Sequence, residues 1–200
     1  MARQPQVAAN EDIHRPLSLY STQTRIMILD DVTGLRNDAY FRRFVRPENS
    51  AYFGALAMYV DNGRLIHSGA FSGNVNSIEA AKRFALHICR TDPVPGMDPD
   101  HCTIVAISVP EDYQQNPDAL RLAHNATSDF AEYITPSIRN VVIASSASGH
   151  TVLREAQGDS LEATRIAAVR ECNNNAQRLY NNDSVTRPRP ESCRVIWERR

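Results

Sequence analysis

One helix of this chain is written twice. Ser77 to Cys89 reads SIEAAKRFALHIC and Ser160 to Cys172 reads SLEATRIAAVREC, with Ser, Glu, Ala, Ala and Cys in matching places. Each copy sits in the same surroundings. Before the first lie an apolar run (YFGALAMYV), an Asp-Asn-Gly turn at residues 61–63 and a second run (RLIHSGAF). Asn-Gly favours a two-residue hairpin because both turn positions need positive φ. After that helix comes a polar loop and then CTIVAISVP, which alternates too little to be a half-exposed strand. The second copy runs NVVIASS, a turn at Gly149, HTVLREA, the helix, a longer loop and CRVIWE. Insertions between the copies fall only in loops, as a structural duplication requires.

The fold expected is therefore α+β. Two tandem β-β-α-β copies would form a pseudo-symmetric mixed sheet with the helices packed on one face. The boundaries follow: residues 1–50 form an N-terminal extension with a short strand (TRIMILDD) and a short helix (LRNDAYFRRFV) ended by Pro47. Residues 51–113 are the first copy, 114–137 a connecting helix starting at Pro117 with Leu122, Ala126, Phe130 and Ile134 buried, and 138–200 the second copy. The polar first 23 residues, with Pro5 and Pro16, read as a mobile arm or a segment draped over the body. Ser77 and Ser160 are natural N-caps, since a serine hydroxyl accepts from an otherwise unpaired N–H. Within the first helix, Ile78, Ala81, Ala85 and Ile88 line one face with Phe84 beside them, and Lys82 and Arg83 face solvent.

Cys89 stands eleven residues after Ile78 and Cys172 eleven after Leu161, so both point from the helix toward the sheet. Cys102 and Cys193 begin the strands that return. A helix end and the start of the next strand come within the 4.4–6.8 Å Cα separation that a disulfide needs. The expected pairs are Cys89 with Cys102 and Cys172 with Cys193. Four buried free thiols are the bland alternative. Zinc is a third, disfavoured because there is no CxxC pair and because His87 and His101 have Arg170 and Ser192 as counterparts in the second copy.

Disulfides imply an oxidising compartment, whereas the start, MARQPQVAANEDIHRP, lacks the apolar core of a secretory signal. The expectation is a periplasmic or secreted protein in a mature or truncated form, with a cytoplasmic one as the alternative. With a formal net charge of −1 and no long tract of one sign, the chain does not read as a nucleic-acid binder. No apolar run approaches the roughly 18–20 residues of a membrane helix.

The pattern of FGALAMYVDNG, SIEAAKRFALHIC and CTIVAIS resembles a family of small secreted bacterial proteins of unknown function. Its marks are a Gly-Ala-Ile-Ala strand, a Glu-Ala-Ala…Ala-Leu-x-x-Cys helix and a Cys-x-Val-Val strand. The match covers Tyr52 to about Val109 well and Val141 to Trp197 more loosely, and residues 1–50 lie outside it. The resemblance implies export and a conserved cysteine pair, and carries no chemistry.

Motifs that suggest chemistry each have a plainer reading. SSASGH (Ser145–His150) puts serines beside a histidine, but it coincides with the second hairpin turn and lacks the Gly-x-Ser-x-Gly elbow. Asp92, Asp98, Asp100 and His101 offer oxygen ligands, yet fit no EF-hand spacing. Asp30 and Asp31 end the first strand, where sites often gather in α/β proteins, and also suit a turn. Arg42, Arg43 and Arg46, and separately Arg187, Arg189, Arg194, Arg199 and Arg200, are local basic clusters that could dock an acidic partner or phosphate, though such scattered clusters usually just solubilise. The triplets Asn125-Ala126-Thr127 and Asn182-Asp183-Ser184 match the glycosylation pattern, which recurs by chance. Trp197, the single tryptophan, reads as core. No catalytic, cofactor-binding or metal-binding residue is assigned. The leading expectation is a non-enzymatic, disulfide-stapled module that binds a protein or an envelope component. The rivals are an enzyme with a cleft between the copies drawing on Asp30, Asp31, His67 or His150, and a cytosolic accessory subunit of a larger assembly.

Overall fold

A computed structural model describes residues 18–46 (except 22 and 31), 52–91, 94–116, 119–133, 140–158 (except 147 and 157), 160–182 and 189–199. The arm at 1–17, Pro47, Asp31, Asp92, Pro117, Ile134, Asp183, Ser184, Arg187 and Arg200 lie outside these residues.

The fold is α+β. The hairpin β2 (Phe53–Asp61) and β3 (Arg64–Val75) turns at Asn62 and Gly63, with φ of 47° and 72°, as the Asn-Gly signal requires. Helix α2 (Ile78–Thr91) follows, capped by the Ser77 hydroxyl, which accepts from Ala80 N–H at 3.1 Å. Strand β4 (Cys102–Pro110) returns beside β2, and β1 (Thr24–Ile28) pairs with β4, giving the order β1-β4-β2-β3. The second unit repeats the plan: hairpin β5 (Val141–Ser145) and β6 (Thr151–Glu155), helix α4 (Leu161–Asn182), and β7 (Arg194–Arg199) returning beside β5. Ser160 caps α4 through Ala163 N–H at 3.2 Å.

Two features differ from the sequence reading of the sheet. The strands divide into a four-stranded and a three-stranded sheet instead of one, and every strand pairing is antiparallel instead of mixed. The reason is local: after a hairpin and a helix, the last strand runs antiparallel to the first and docks there, so β3 and β6 are left as edges. The layers also differ. Helix α2 covers the face carrying Phe53, Ala55, Ala57 and Tyr59, but the opposite face, with Leu56 and Met58, is covered by Val32, Leu35, Phe41 and Phe44. In the second unit α4 covers Val142 and Ala144, while Leu120, Leu122 and Phe130 cover Val141 and Ile143. Each sheet is a filling between two layers, which explains why β2 is an unbroken apolar run instead of an alternating one.

The two returning strands carry the same irregularity. Leu56 pairs with Ala106 but its neighbour Ala57 with Ile104, so Val105 bulges from β4. Ile143 pairs with Trp197 but Ala144 with Val195, so Ile196 bulges from β7. Each bulge lies three residues after the strand's cysteine. A bulge turns two successive side chains toward one face, and Val105 with Ala106, like Ile196 with Trp197, fill the layer away from the disulfide.

Three elements depart from their expected extents. The first helical stretch breaks at Asp38, whose carboxylate accepts from Tyr40 and Phe41 N–H at 2.8 and 3.0 Å; a 3-10 turn (Leu35–Asn37) precedes it and α1 (Ala39–Phe44) follows. The connecting helix α3 (His124–Tyr133) begins well after Pro117, although Leu122 ahead of it is buried as expected and Leu120 is buried too. Helix α4 runs ten residues beyond Cys172 through an Asn-rich segment read as loop. Its apolar stripe continues Ala168, Cys172, Ala176 at four-residue steps, all buried, and that packing outweighs the modest propensity of Asn.

Residues 18–21 strap the two units together. Leu19 packs in the second unit's outer layer and Tyr20 in the first unit's core, edge-on to Phe53. Ser18 C=O accepts from Leu120 N–H at 2.7 Å, and Ser21 N–H donates to Asp112 at 3.0 Å.

Candidate functional site

The cysteines form both expected bonds. Cys89 is joined to Cys102 with Cα atoms 6.2 Å apart, and Cys172 to Cys193 at 6.0 Å. No cysteine is free. Each staple ties a helix to the first residues of the strand returning under it. Tyr59 supports the first by donating its hydroxyl to Cys89 C=O at 2.7 Å, and Asn173 supports the second by accepting from Cys193 N–H at 2.8 Å.

The junction between the units is polar and buried. Asn76, at the end of β3, donates its amide to the Ser145 hydroxyl and, at 2.6 Å, to Ser146 C=O. Ser145 also bonds Thr151 Oγ1 at 2.9 Å and His150 C=O at 3.0 Å, and the Ser146 and Ser148 hydroxyls meet at 2.9 Å. With Gly149 at φ 94° and its N–H on Ser146 C=O, SSASGH is the second hairpin's turn, its serines bonded to the turn and to Asn76.

Beside this junction lies a cleft of about 440 Å³. Ser72, Gly73 and Val75 of β3 form one side, Phe84 and Ile88 of α2 another, and Asn125, the Ser148–His150 turn and Leu179 the rest. A second cavity of about 240 Å³ continues along the strand, lined by Ser68 to Phe71, with Ile88 and Cys89 above and Tyr40 of α1 at its end. Ile88 belongs to both. Among the described residues no Asp, Glu, Lys or Arg lines either cavity.

The groups named for an enzymatic cleft are not gathered there. His150 lines it; Asp30 and His67 do not, and Asp31 lies outside the described residues. His67 uses Nδ1 on Ser68 C=O at 2.7 Å and stands edge-on to Tyr59. Asp98 caps the 3-10 turn Pro99–His101 by accepting from Asp100 N–H at 3.0 Å, a structural use of the acidic loop. Among the described residues no three His, Cys, Asp or Glu side chains come together as a metal site, and no helix is long and apolar enough to cross a membrane. Of the arginines, Arg43 stacks over Phe71 and Arg199 over Trp197, which is buried in the core.

Sequence reasoning did not single out Ser72, Tyr40 or Leu179 as cavity residues, and assigned Phe84 and Ile88 to the core face of α2. Ile88 is half-buried, at the rim where α2 overhangs β3. The available signal was the stretch HSGAFSGNV, unusually rich in small residues for a strand 12 residues long, which leaves space along its edge.

No protein-family model, curated protein or solved structure gives a significant match to this chain.

Proposed function

We infer that the protein is an exported, disulfide-stabilised, non-enzymatic binding module working in the periplasm or outside the cell, with a protein or envelope component as its partner. The observation that carries this is the pair of disulfides at matching places in the two units, with all four cysteines used. Such bonds persist where the surroundings are oxidising and are rare in reducing cytosol. An internal duplication belongs to the reading. It is supported by the repeated helix sequence, the common strand order with the returning strand beside the first hairpin strand, and the bulge three residues after each strand cysteine. The resemblance of the first unit to small secreted bacterial proteins agrees with export. A binding role draws on the cavity walls, which among the described residues are mostly apolar or small and carry no Asp, Glu, Lys or Arg.

Peptide mapping of protein taken from its native compartment, without reduction and with free thiols blocked at lysis, tests the reading. Disulfide-linked peptides containing residues 89 with 102 and 172 with 193 are the expected result. Blocked, unpaired thiols at these four positions in native material would overturn export and favour the cytosolic accessory subunit.

A further inference from the structure

We propose that the outer edge of β3 from Ser68 to Val75 is a strand-addition site that captures one extended, uncharged peptide segment with apolar side chains at alternate positions. The proposal rests on the binding-module reading and specifies the chemistry of its partner.

Three observations converge on this edge. First, β3 is an edge strand. Beyond Leu65, whose N–H donates to Thr33 C=O, it makes no backbone hydrogen bond to any strand but β2 among the described residues. An edge strand presents alternate N–H and C=O groups outward, and an extended backbone is their direct complement; the pairing with β2 is regular over Ala70–Ser72, with a register shift on either side of it. Second, the two cavities lie end to end along this stretch, the smaller beside residues 68–71 and the larger beside 72–75. Eight strand residues span roughly 25 Å and accept a peptide of about seven. Third, the walls select the chemistry. Tyr40, Phe71, Phe84, Ile88, Val94 and Leu179 provide apolar surface at intervals, and among the described residues no Asp, Glu, Lys or Arg is in the lining. A charged side chain placed beside these apolar walls would lose water, and away from His150 it would meet no charged partner among the described residues of the lining.

The cleft beside the edge decides the occupant. Phe84 and Ile88 of α2 wall it on one side and the Ser148–His150 turn of the second unit closes the far end, while Gly73 on the strand itself stays exposed. A second copy would have to bring the edge of its own sheet with covering helices into that space, whereas a single extended segment fits.

The test uses the purified, oxidised full chain and an acetylated, amidated peptide of about seven residues alternating threonine and valine, followed by amide hydrogen exchange and NMR shift mapping. Expected are saturable shifts and slowed exchange confined to residues 68–75 and the walls at Ile88 and Ser148–His150. A peptide N-methylated at alternate nitrogens, and one with glutamate in place of valine, bind roughly tenfold weaker or less. Tyr40→Ala and Ile88→Glu weaken binding similarly; Tyr40 is 43% exposed, so its variant keeps the fold even where Ile88→Glu does not. No effect at about 1 mM peptide, effects at another edge, or equal binding of the methylated peptide would overturn the proposal. So would concentration-dependent protection of β3 without peptide together with a dimeric mass, which would assign the edge to a second copy. Correct disulfides with a silent groove would sink this inference alone, whereas free cysteines in native material would sink the export reading.

Discussion

Arg165 holds a buried carboxylate. Glu198 on β7 has a fully buried side chain, and the α4 guanidinium grips it with both forks, Nε on Oε2 at 2.6 Å and Nη2 on Oε1 at 2.5 Å. The Arg165 side chain is itself only 21% exposed, and its third nitrogen reaches the exposed Glu162, one turn earlier, at 2.9 Å. Pairing with Glu198 raises the arginine pKa above its ordinary value, so the cation persists at any working pH. The energetics are asymmetric. Arg165→Ala leaves Glu198 in a dry site without its bidentate partner, which costs about 3–5 kcal/mol. Glu162→Ala removes only an exposed partner and costs at most about 0.5 kcal/mol. Replacing both buried ends, as in Arg165→Met with Glu198→Leu, removes the stranded charge, so the double variant is more stable than Arg165→Ala. Urea unfolding followed by circular dichroism, at constant m-value, reads all three. A loss below about 1 kcal/mol for Arg165→Ala, or a double variant no better than the single, would refute the argument that the cost lies in stranding Glu198.

Three further outcomes are expected. Removing Cys89–Cys102 or Cys172–Cys193 by paired Ala substitution should cost about 3 kcal/mol each on loop entropy, slightly more for the second, from separations of 13 and 21 residues; in urea melts a near-zero loss at either would contradict the entropic account. Gly69→Ala should destabilise by roughly 1–3 kcal/mol, because its Cβ would stand 2.1 Å from Ala57 C=O where the hairpin register shifts; an unchanged melting midpoint would refute the close approach. Burial raises the Tyr52 pKa above its ordinary value. A group with a raised folded pKa lends stability that is complete below the unfolded value of about 10 and lost as pH climbs through the folded one. Short urea titrations from pH 8 upward should therefore show a decline above about pH 10 that is shallower in Tyr52→Phe, and equal slopes would refute it.

What was legible in the sequence was local. The Asn62-Gly63 turn, the Ser77 and Ser160 caps and the cysteine pairing each depend on residues near in sequence, and the similar stretches 77–89 and 160–172 allowed each reading to check the other. The outer layers were not legible: Phe41 and Leu122 are apolar at spacings that fit several partners, and only the assembled sheets decide which face they cover. The far half of α4 was missed because Asn173 to Asn175 outweighed the four-residue spacing of Ala176 from Cys172. The groove was missed because its walls come from α1, α2, α3, α4 and a hairpin turn, brought together only by the fold.

The place of β1 sets a timetable for synthesis. Thr24 pairs with Pro110 and Ile28 with Ala106, so the strand made first waits for the last strand of its own sheet. A ribosome adding roughly 5–20 residues per second needs about 4–17 s to travel between these positions. Throughout that interval Met27, Ile28 and Leu29, which stay partly exposed even in the finished fold, have no β4 beside them. The first sheet is therefore completed from its far side. The stapled hairpin unit must come together before the opening strand can close it, and a chain halted before residue 106 keeps that apolar stretch open to whatever meets it first.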